Sequence, residues 1–304
     1  MSGNEMIAEQ FETNRSHLRG VAYRMLGSLS EADDAVQEAW LRLSRSDTSG
    51  VQNLAGWLTT VVARVSLDML RSRKAKAEES LEEERAEPVA TKGVLQGSIG
   101  SDPEQEAILA ESVGLALLVV LDTLGPAERL AFVLHDMFGV PFEEIALIVG
   151  RSVDATRQLA SRARRRVQGA EKVPEGGLQS AELAGQREVV EAFLSALRAG
   201  DFEGLVAVLD PDVLVRAESA EGVREIRGAR NWAKGALAFT RHRERYARFT
   251  QIALLDGKVG VILAPRGRLE RALRFTIAEG KIREAEIIVN PERLRGLEVA
   301  VLNQ

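Results

Sequence analysis

Residues 150–167 read GRSVDATRQLASRARRRV. One acid, Asp154, precedes Arg157, Arg162, Arg164, Arg165 and Arg166, in a chain whose formal net charge is −5. At helical spacing, Thr156, Ala160, Ala163 and Val167 share one face. These are small, mostly apolar side chains suited to close helix packing. Asp154, Arg157, Gln158, Ser161 and Arg165 fall largely on the other face, with Arg162 beside them. Arginine binds a guanine edge through two parallel hydrogen bonds, and glutamine binds adenine in the same way. Arginines further along a helix suit phosphates. Gly150 permits a tight turn, and Ser152 is placed to cap the helix that follows. The preceding segment, 142–149, turns Ile145, Ala146 and Val149 inward after Pro141. The spacing predicts a helix-turn-helix with the reading helix second.

A second constellation lies near the start. ADDAVQEAWLRL (32–43) puts Ala32, Val36, Ala39, Trp40 and Leu43 on one face and Asp33, Asp34 and Glu38 on or near another. An acidic face repels DNA and fits a basic protein partner better. Ser30 with Asp33 reads as a capping box. The stretch SDTSGVQN (46–53) is a loop by composition. A helix over about 54–76 then turns Trp57, Leu58, Val61, Val62, Val65 and Leu70 inward and ends in Arg71, Arg73, Lys74 and Lys76. Asn53 and its loop suit an unstacked base; Trp57 reads as core, with base contact a minor alternative. Arg64, Arg71, Arg73 and Lys74 suit a phosphate backbone.

Charge is placed unevenly. Residues 77–112 hold ten acids against Arg85 and Lys92. The segment 77–104 combines a glutamate run with Gly, Ser and Pro and reads as an acidic linker. Its glutamates are expected to repel DNA or to cover the basic helices. Cysteine is absent and only three histidines occur. Disulfides and thiolate sites are therefore excluded, no histidine metal cluster is expected from three histidines far apart in sequence, and no cofactor is expected. No apolar run approaches the roughly 20 residues that span a bilayer. The opening MSGNEMIAEQFE lacks a basic start followed by an apolar stretch, so no secretory signal is expected. These features predict a cytosolic protein without membrane contact.

From about residue 181 the pattern changes. Two helices break near Gly200, a helix fits 229–240, and β-like runs fit 245–255, 258–264 and 268–289. The last divides at Glu279-Gly280 into two strands. This is an α+β pattern. General acid–base chemistry there has thin candidates in Asp212, Asp256, His242 and Tyr246, which read as turn and surface residues. Arg266, Arg268, Arg271 and Arg274 alternate with apolar residues and suit either a partner surface or a solvated sheet face.

Taken together, ADDAVQEAWLRL (32–43), LAGWLTTVVARVSLDMLRSRK (54–74) and LGPAERLAFVLHDMFGVPFEEIALIVGRSVDATRQLASRARRRV (124–167) resemble the extracytoplasmic-function sigma factors, in order along the chain. The resemblance implies two all-α sigma domains, at 5–76 and 105–170, joined by the linker 77–104. It implies that Asp33, Asp34, Glu38 and Arg42 meet core RNA polymerase. Asn53, Trp57, Arg64, Arg71, Arg73 and Lys74 would meet a −10 element. Asp154, Arg157, Gln158, Ser161, Arg162 and Arg165 would meet a −35 element. Residues 181–304 resemble a cone-shaped SnoaL-like domain, carried by a subgroup of these factors and implicated there in regulating the sigma domains by intramolecular contact. That subgroup's Asn-Pro-Asp-Lys-Leu motif is matched by Asn290-Pro291-Glu292-Arg293-Leu294. Its Trp-Leu-Pro-Glu-Pro and Asp-Gly-Gly-Gly motifs are reduced here to Glu87-Pro88 and to Gly222. The residues name no separate anti-sigma partner. The expected function is promoter-specific transcription initiation without bond chemistry. The alternatives are a ligand-sensing helix-turn-helix regulator that acts without polymerase, and a cone-domain isomerase or cyclase acting on a small ketone.

Overall fold

The computed structural model describes residues 3–46, 51, 53–86, 114–169, 177–219, 222–241 and 249–302. Contacts divide the chain into two compact units. One comprises residues 1–106 with 123–164, and the other 107–122 with 165–304. The boundary therefore runs through the 105–170 block, which contributes to both.

The first unit is helical. Helix α1 (Gly3–Leu26) buries Phe11, Leu18, Ala22 and Met25, spaced to share one stripe. It stops at Gly27, whose φ of 75° ends the helix with its N–H donating to Tyr23 O at 2.8 Å. Helix α2 (Leu29–Leu43) begins one residue before the expected capping box. Leu29 is fully buried, so the chain enters the helix early enough to place it inside. Ser28 takes the cap position without a side-chain capping bond, and Ser30 sits in the first turn.

Helix α3 (Leu54–Ala86) continues ten residues past the basic cluster, into the segment expected to be linker. Residues 77–86 are AEESLEEERA, all helix-compatible, and the first proline is Pro88. The rest of that segment lies outside the described residues. The inward stripe of α3 centres on Leu58, Val62, Ser66 and Leu67. Trp57 and Val61 are only half-buried, so the core face is rotated from the expected one.

Helix α4 (Leu115–Thr123) belongs to the second unit. The first unit resumes with α5 (Pro126–Phe132), a single π turn (Val133–Met137) and α6 (Phe142–Val149). Helix α7 (Val153–Gln168) follows, its last residues in the second unit. Pro126 occupies the first turn of α5 as expected.

The second unit is built on a seven-stranded sheet, ordered β2-β1-β6-β5-β4-β3-β7. Its strands are β1 (Leu209–Ser219), β2 (Gly222–Arg227), β3 (Thr250–Leu255), β4 (Lys258–Leu263), β5 (Arg271–Ala278), β6 (Lys281–Ile288) and β7 (Val299–Ala300). Among the described strands, only β1 and β6 pair in parallel. The β3–β4 and β5–β6 hairpins turn at Asp256-Gly257 and Glu279-Gly280. Both residues of each turn have positive φ, the conformation that suits a two-residue hairpin. Helices α8 (Gly177–Ala199), α9 (Phe202–Val208) and α10 (Ala229–Arg241) cover one face. Val190, Phe193, Leu205, Trp232, Val261 and Phe275 form the core there. The architecture is a set of helical blocks followed by an α+β sheet domain.

Helix α4 covers the opposite face. Ala116, Val119 and Val120 pack with Ala253, Leu255, Ile262, Ala272 and Ile288. The Gln251 side chain accepts the Ala116 N–H at 3.0 Å, satisfying a donor that the helix start leaves unpaired. Val167, at the end of α7, joins the same cluster, and its carbonyl accepts the Val301 N–H at 2.9 Å.

The last helix, α11 (Pro291–Gly296), is fixed by its preceding residues. Asn290 Oδ1 accepts the N–H groups of Glu292 and Arg293, and Leu294 is buried. Glu218 reaches over from β1 to accept the N–H groups of Val289 (2.8 Å) and Asn290 (2.9 Å) and to pair with Arg293. Burial pushes this carboxyl upward, but the two backbone donors and Arg293 outweigh burial and hold it below the usual carboxylate range. Arg293 also binds Glu286 at 2.7 Å, and Arg274 joins Glu286 to Asp256.

Replacing Glu218 by Ala leaves two backbone donors without their acceptor and Arg293 with Glu286 as its remaining partner. The expected loss is about 1–3 kcal/mol in the urea unfolding of the sheet domain, whereas Glu218→Gln, which still accepts, loses less. A variant as stable as the parent would show that the α11 anchor lies elsewhere. The depressed pKa fixes the pH sense: the contribution of Glu218 is present above the ordinary glutamate value and is lost as pH falls through the lower folded value.

Candidate nucleic-acid interface

The turn before α7 is built by Gly150. Its φ of 73° lets its own N–H and that of Arg151 bond back to Ala146 O, at 2.9 and 3.1 Å. Ser152 Oγ accepts the Ala155 N–H at 3.2 Å, the capping role expected of it. Thr156, Leu159, Ala160 and Ala163 of α7 are buried. Leu159 was not expected on that face, and Val167 packs on the sheet domain instead of continuing it. Asp154, Arg157, Gln158, Ser161, Arg162 and Arg165 are all exposed on one side of the helix. The structure therefore brings all six of these candidates together.

Their charges are not independent. Arg157 pairs with Asp154 at 3.0 Å and with Glu143 at 3.5 Å, and its guanidinium lies 5.8 Å from the Phe142 ring centroid. Arg162 pairs with Glu128 at 2.9 Å, and Arg164 pairs with Asp136. The reading helix is held against acids from α5, the π turn and α6. Sequence reasoning missed these acids because they come from 14 to 34 residues away.

On α2, Asp33 and Asp34 are exposed and Glu38 and Arg42 border the same surface. Asp33 pairs with Arg19 at 2.7 Å and Glu38 with Arg42 at 2.9 Å, which leaves Asp34 the most open carboxylate of the set. The −10 candidates divide. Arg64, Arg71 and Lys74 are exposed along α3. Arg73 is half-buried, pairs with Glu31 and reaches Leu26 O. Asn53 is exposed, but its Oδ1 accepts the Gly56 N–H at 3.0 Å, so it caps α3. Trp57 is half-buried beside it.

Arg129 is a residue that sequence reasoning passed over. It is 2 % exposed, and its Nε donates to Arg24 O at 3.0 Å, tying α5 to α1. Nearby, the Arg24 guanidinium lies 5.2 Å from the Phe138 ring centroid. The His17 ring meets Phe138 edge-on at 5.1 Å and approaches Thr59 Oγ1 at 3.3 Å. Nothing in the run LGPAERL marks Arg129 as buried. Its role emerges only when the helices pack. Burial and the charge of Arg24 hold His17 below its usual pKa.

In the sheet domain, Asp212 is exposed and Asp256 is engaged in a turn, bonded to Arg274 and to the Glu298 N–H. His242 and Tyr246 lie outside the described residues. The four arginines do not share one surface. Arg268 follows a 3₁₀ turn (Pro265–Gly267) rather than sitting on a strand, and the side chain of Arg266 lies outside the described set. Arg271 and Arg274, an odd number of residues apart on β5, face opposite sides of the sheet. Among the described residues no group of three or more His, Cys, Asp or Glu is placed to hold a metal ion.

Residues 10–76 match the family described as Sigma-70 region 2, and residues 114–167 match Sigma-70, region 4. The chain is 37 % identical over 306 residues to the ECF RNA polymerase sigma factor SigJ of Mycobacterium tuberculosis, covering 96 % of this chain and 94 % of that one. The chain belongs to the ECF RNA polymerase sigma factors. Within this family it is also 34 % identical over 296 residues to the probable ECF RNA polymerase sigma factor SigI of M. tuberculosis, covering 97 % of each. The crystal structure of M. tuberculosis SigJ aligns with 95 % of this chain and 98 % of that chain, at 32 % identity and a TM-score of 0.43. For this sigma factor, helix α4 opens the stretch matched as region 4 yet packs on the sheet domain.

The depressed pKa of His17 has a measurable consequence. Unfolded His17 takes up a proton near its ordinary value, while the folded ring resists it down to a lower pH. Stability is therefore complete above about pH 6.5 and falls as pH drops below it. The melting temperature of the parent should fall more between pH 7.5 and pH 5.5 than that of His17→Gln. Parallel curves would remove His17 as a contributor.

Proposed function

We propose that this sigma factor binds core RNA polymerase through the exposed acidic side of α2 and directs it to promoters through two DNA-reading surfaces. Helix α7 reads the upstream −35 element with Arg157 and Gln158, while Arg162 and Arg165 follow phosphates. The loop before α3 and the row Arg64, Arg71 and Lys74 engage the −10 element. The observation that carries this reading is α7 itself. Six polar residues stand on one exposed side, behind which a small buried face fixes the helix after a glycine turn.

The ion pairs of α7 support a further part of the reading. Glu128, Asp136 and Glu143 act as counter-charges that weaken DNA binding by the free factor, since phosphates must displace them. The remaining linker glutamates add to this effect by repulsion. The sheet domain, SnoaL-like in this reading, tunes the sigma domains through α4 and through the Asn290-Pro291-Glu292-Arg293-Leu294 segment, in which Asn290 is a cap and Leu294 a core residue. The factor works in the cytosol without bond chemistry of its own. None of the described helices is long and apolar enough to cross a membrane.

Run-off transcription with purified core polymerase tests the main claim. Arg157→Ala should lower transcript from a cognate promoter roughly 10-fold and relax base preference in the upstream element, at a cost of about 1–3 kcal/mol. Arg165→Ala should instead weaken binding at all sequences and reduce the salt slope by about one unit. Tight, specific duplex binding by the free chain, with no response to core polymerase, would overturn the proposal. The counter-charge claim predicts that Glu128→Gln with Asp136→Asn raises the DNA affinity of the free factor and steepens its salt slope by roughly one unit per released arginine. Unchanged affinity would sink it.

A further inference from the structure

Phe142, the first residue of α6, has a ring that is held from the loop before it. The imidazole of His135 stacks on it, with centroids 3.8 Å apart and an interplanar angle of 25°. The chain between the two residues is folded back on itself. The π turn carries His135, and Gly139, with a φ of 68°, reverses the direction. The Gly139 N–H donates to His135 O at 3.0 Å, and the Val140 N–H to Leu134 O at 2.9 Å. His135 Nδ1 lies 3.0 Å from Val140 O. A carbonyl can only accept, so Nδ1 carries a proton and the bond fixes the plane of the imidazole. Two backbone bonds and one side-chain bond therefore anchor the stack.

The same phenyl ring meets the reading helix. The Arg157 guanidinium lies over it, 5.8 Å from the centroid. Arg157 thus has two kinds of neighbour. Asp154 and Glu143 take its N–H groups, at 3.0 and 3.5 Å. The ring takes none of them, because it attracts the cation through its π face. The difference matters when a base arrives. A guanine edge accepts two parallel N–H groups from a guanidinium, so the carboxylates compete with it for the same donors. The ring does not compete. It also narrows the range of a long side chain whose ordering would otherwise count against binding.

We propose that Phe142, backed by His135, is a positioning residue for base reading. It holds the Arg157 guanidinium through the π face of the ring and leaves the N–H groups to a guanine of the upstream element after the acids are displaced. It sharpens specificity without touching DNA. The proposal rests on the assignment of Arg157 as a base-reading residue, and its test separates the two.

The measurement is run-off transcription by the full chain with core polymerase, on a cognate promoter and on each single-base replacement across its upstream element. Arg157→Ala locates the position whose base preference is relaxed. At that position Phe142→Leu should lower the preference about two- to fivefold, the worth of an exposed cation–π contact. Leucine keeps an apolar side chain at this half-buried site and removes only the π face. Preference at the other positions and the salt slope should stay at the parent's values. Phe142→Tyr, which keeps the π face, should retain the parent's preference throughout. In the Arg157→Ala background, Phe142→Leu should cause no further loss at the located position. If Phe142→Leu fails to fold, His135→Leu takes its place: it leaves the ring and removes its backing, and it should lower preference at the same position. If Arg157→Ala relaxes no position, the reading of α7 falls and this proposal with it. If Arg157→Ala relaxes one position but the Phe142 or His135 variant leaves that position untouched, or weakens all sequences alike, the positioning role alone is overturned.

Discussion

A short helix that cannot stand in water organises this molecule. Leu115–Thr123 reads LALLVVLDT, with one ionisable side chain, and its first seven residues are apolar. Leu115, Ala116, Leu118, Val119, Val120 and Leu121 are all buried, on every side of the helix. A helix apolar all round must be enclosed, since each side chain of this size left in water costs about 1.5–3 kcal/mol. The sheet face opposite α8, α9 and α10 encloses part of it. That face would otherwise expose Ala253, Leu255, Ile262, Ala272 and Ile288. Each surface is the other's cover, so the opening helix of the region-4 match and the C-terminal domain are joined by burial as well as by the chain.

Electrostatics follow a similar logic of mutual cover. A helix with five arginines in its last twelve residues repels itself, yet α7 forms within a net-acidic chain. Its inner face holds it by packing. Neighbouring helices supply carboxylates that shorten the reach of its field, at pair distances of 2.9–3.5 Å for Arg157 and Arg162. These exposed pairs contribute little to stability, of order 0–1 kcal/mol each. Their effect is on binding: they set how much a competing phosphate must offer. The network Glu218–Arg293–Glu286–Arg274–Asp256 differs, because it also satisfies backbone groups and fixes the chain between β6 and α11.

What could be read from the sequence was local. Pro126, Gly150, Ser152 and the Glu279-Gly280 turn act within a few residues, and each marks the expected boundary. The outward row of α7 was legible because helical period alone separates it from Thr156, Ala160 and Ala163. Where the reading missed, a non-local term had won. Leu29 drew the cap of α2 back from Ser30 to Ser28. A glutamate-rich run that looks like linker is also good helix, and α3 runs through its first ten residues. Arg271 and Arg274 seemed alike on the strand and separated by sheet parity. Arg73 and Asn53 were grouped with DNA-facing residues by position; the pairing of Arg73 with Glu31 and the capping of α3 by Asn53 were not legible beside that. The burial of Arg129 has no signature along the chain, since it exists only after distant elements pack.

The shared helix also fixes where this protein can be cut and recombined. The natural place to sever the extension, judged by chain order, is just past Gln168. Such a cut would leave Ala116, Val119 and Val120 facing solvent on the retained piece and strip the sheet face that they cover on the discarded one. A transplant that moves the C-terminal module onto a two-domain relative must therefore carry Leu115–Thr123 with it, or graft a substitute whose small side chains fit the same seat beside Gly267. The functional module and the linear segment are different objects in this chain, and modular engineering has to follow the first.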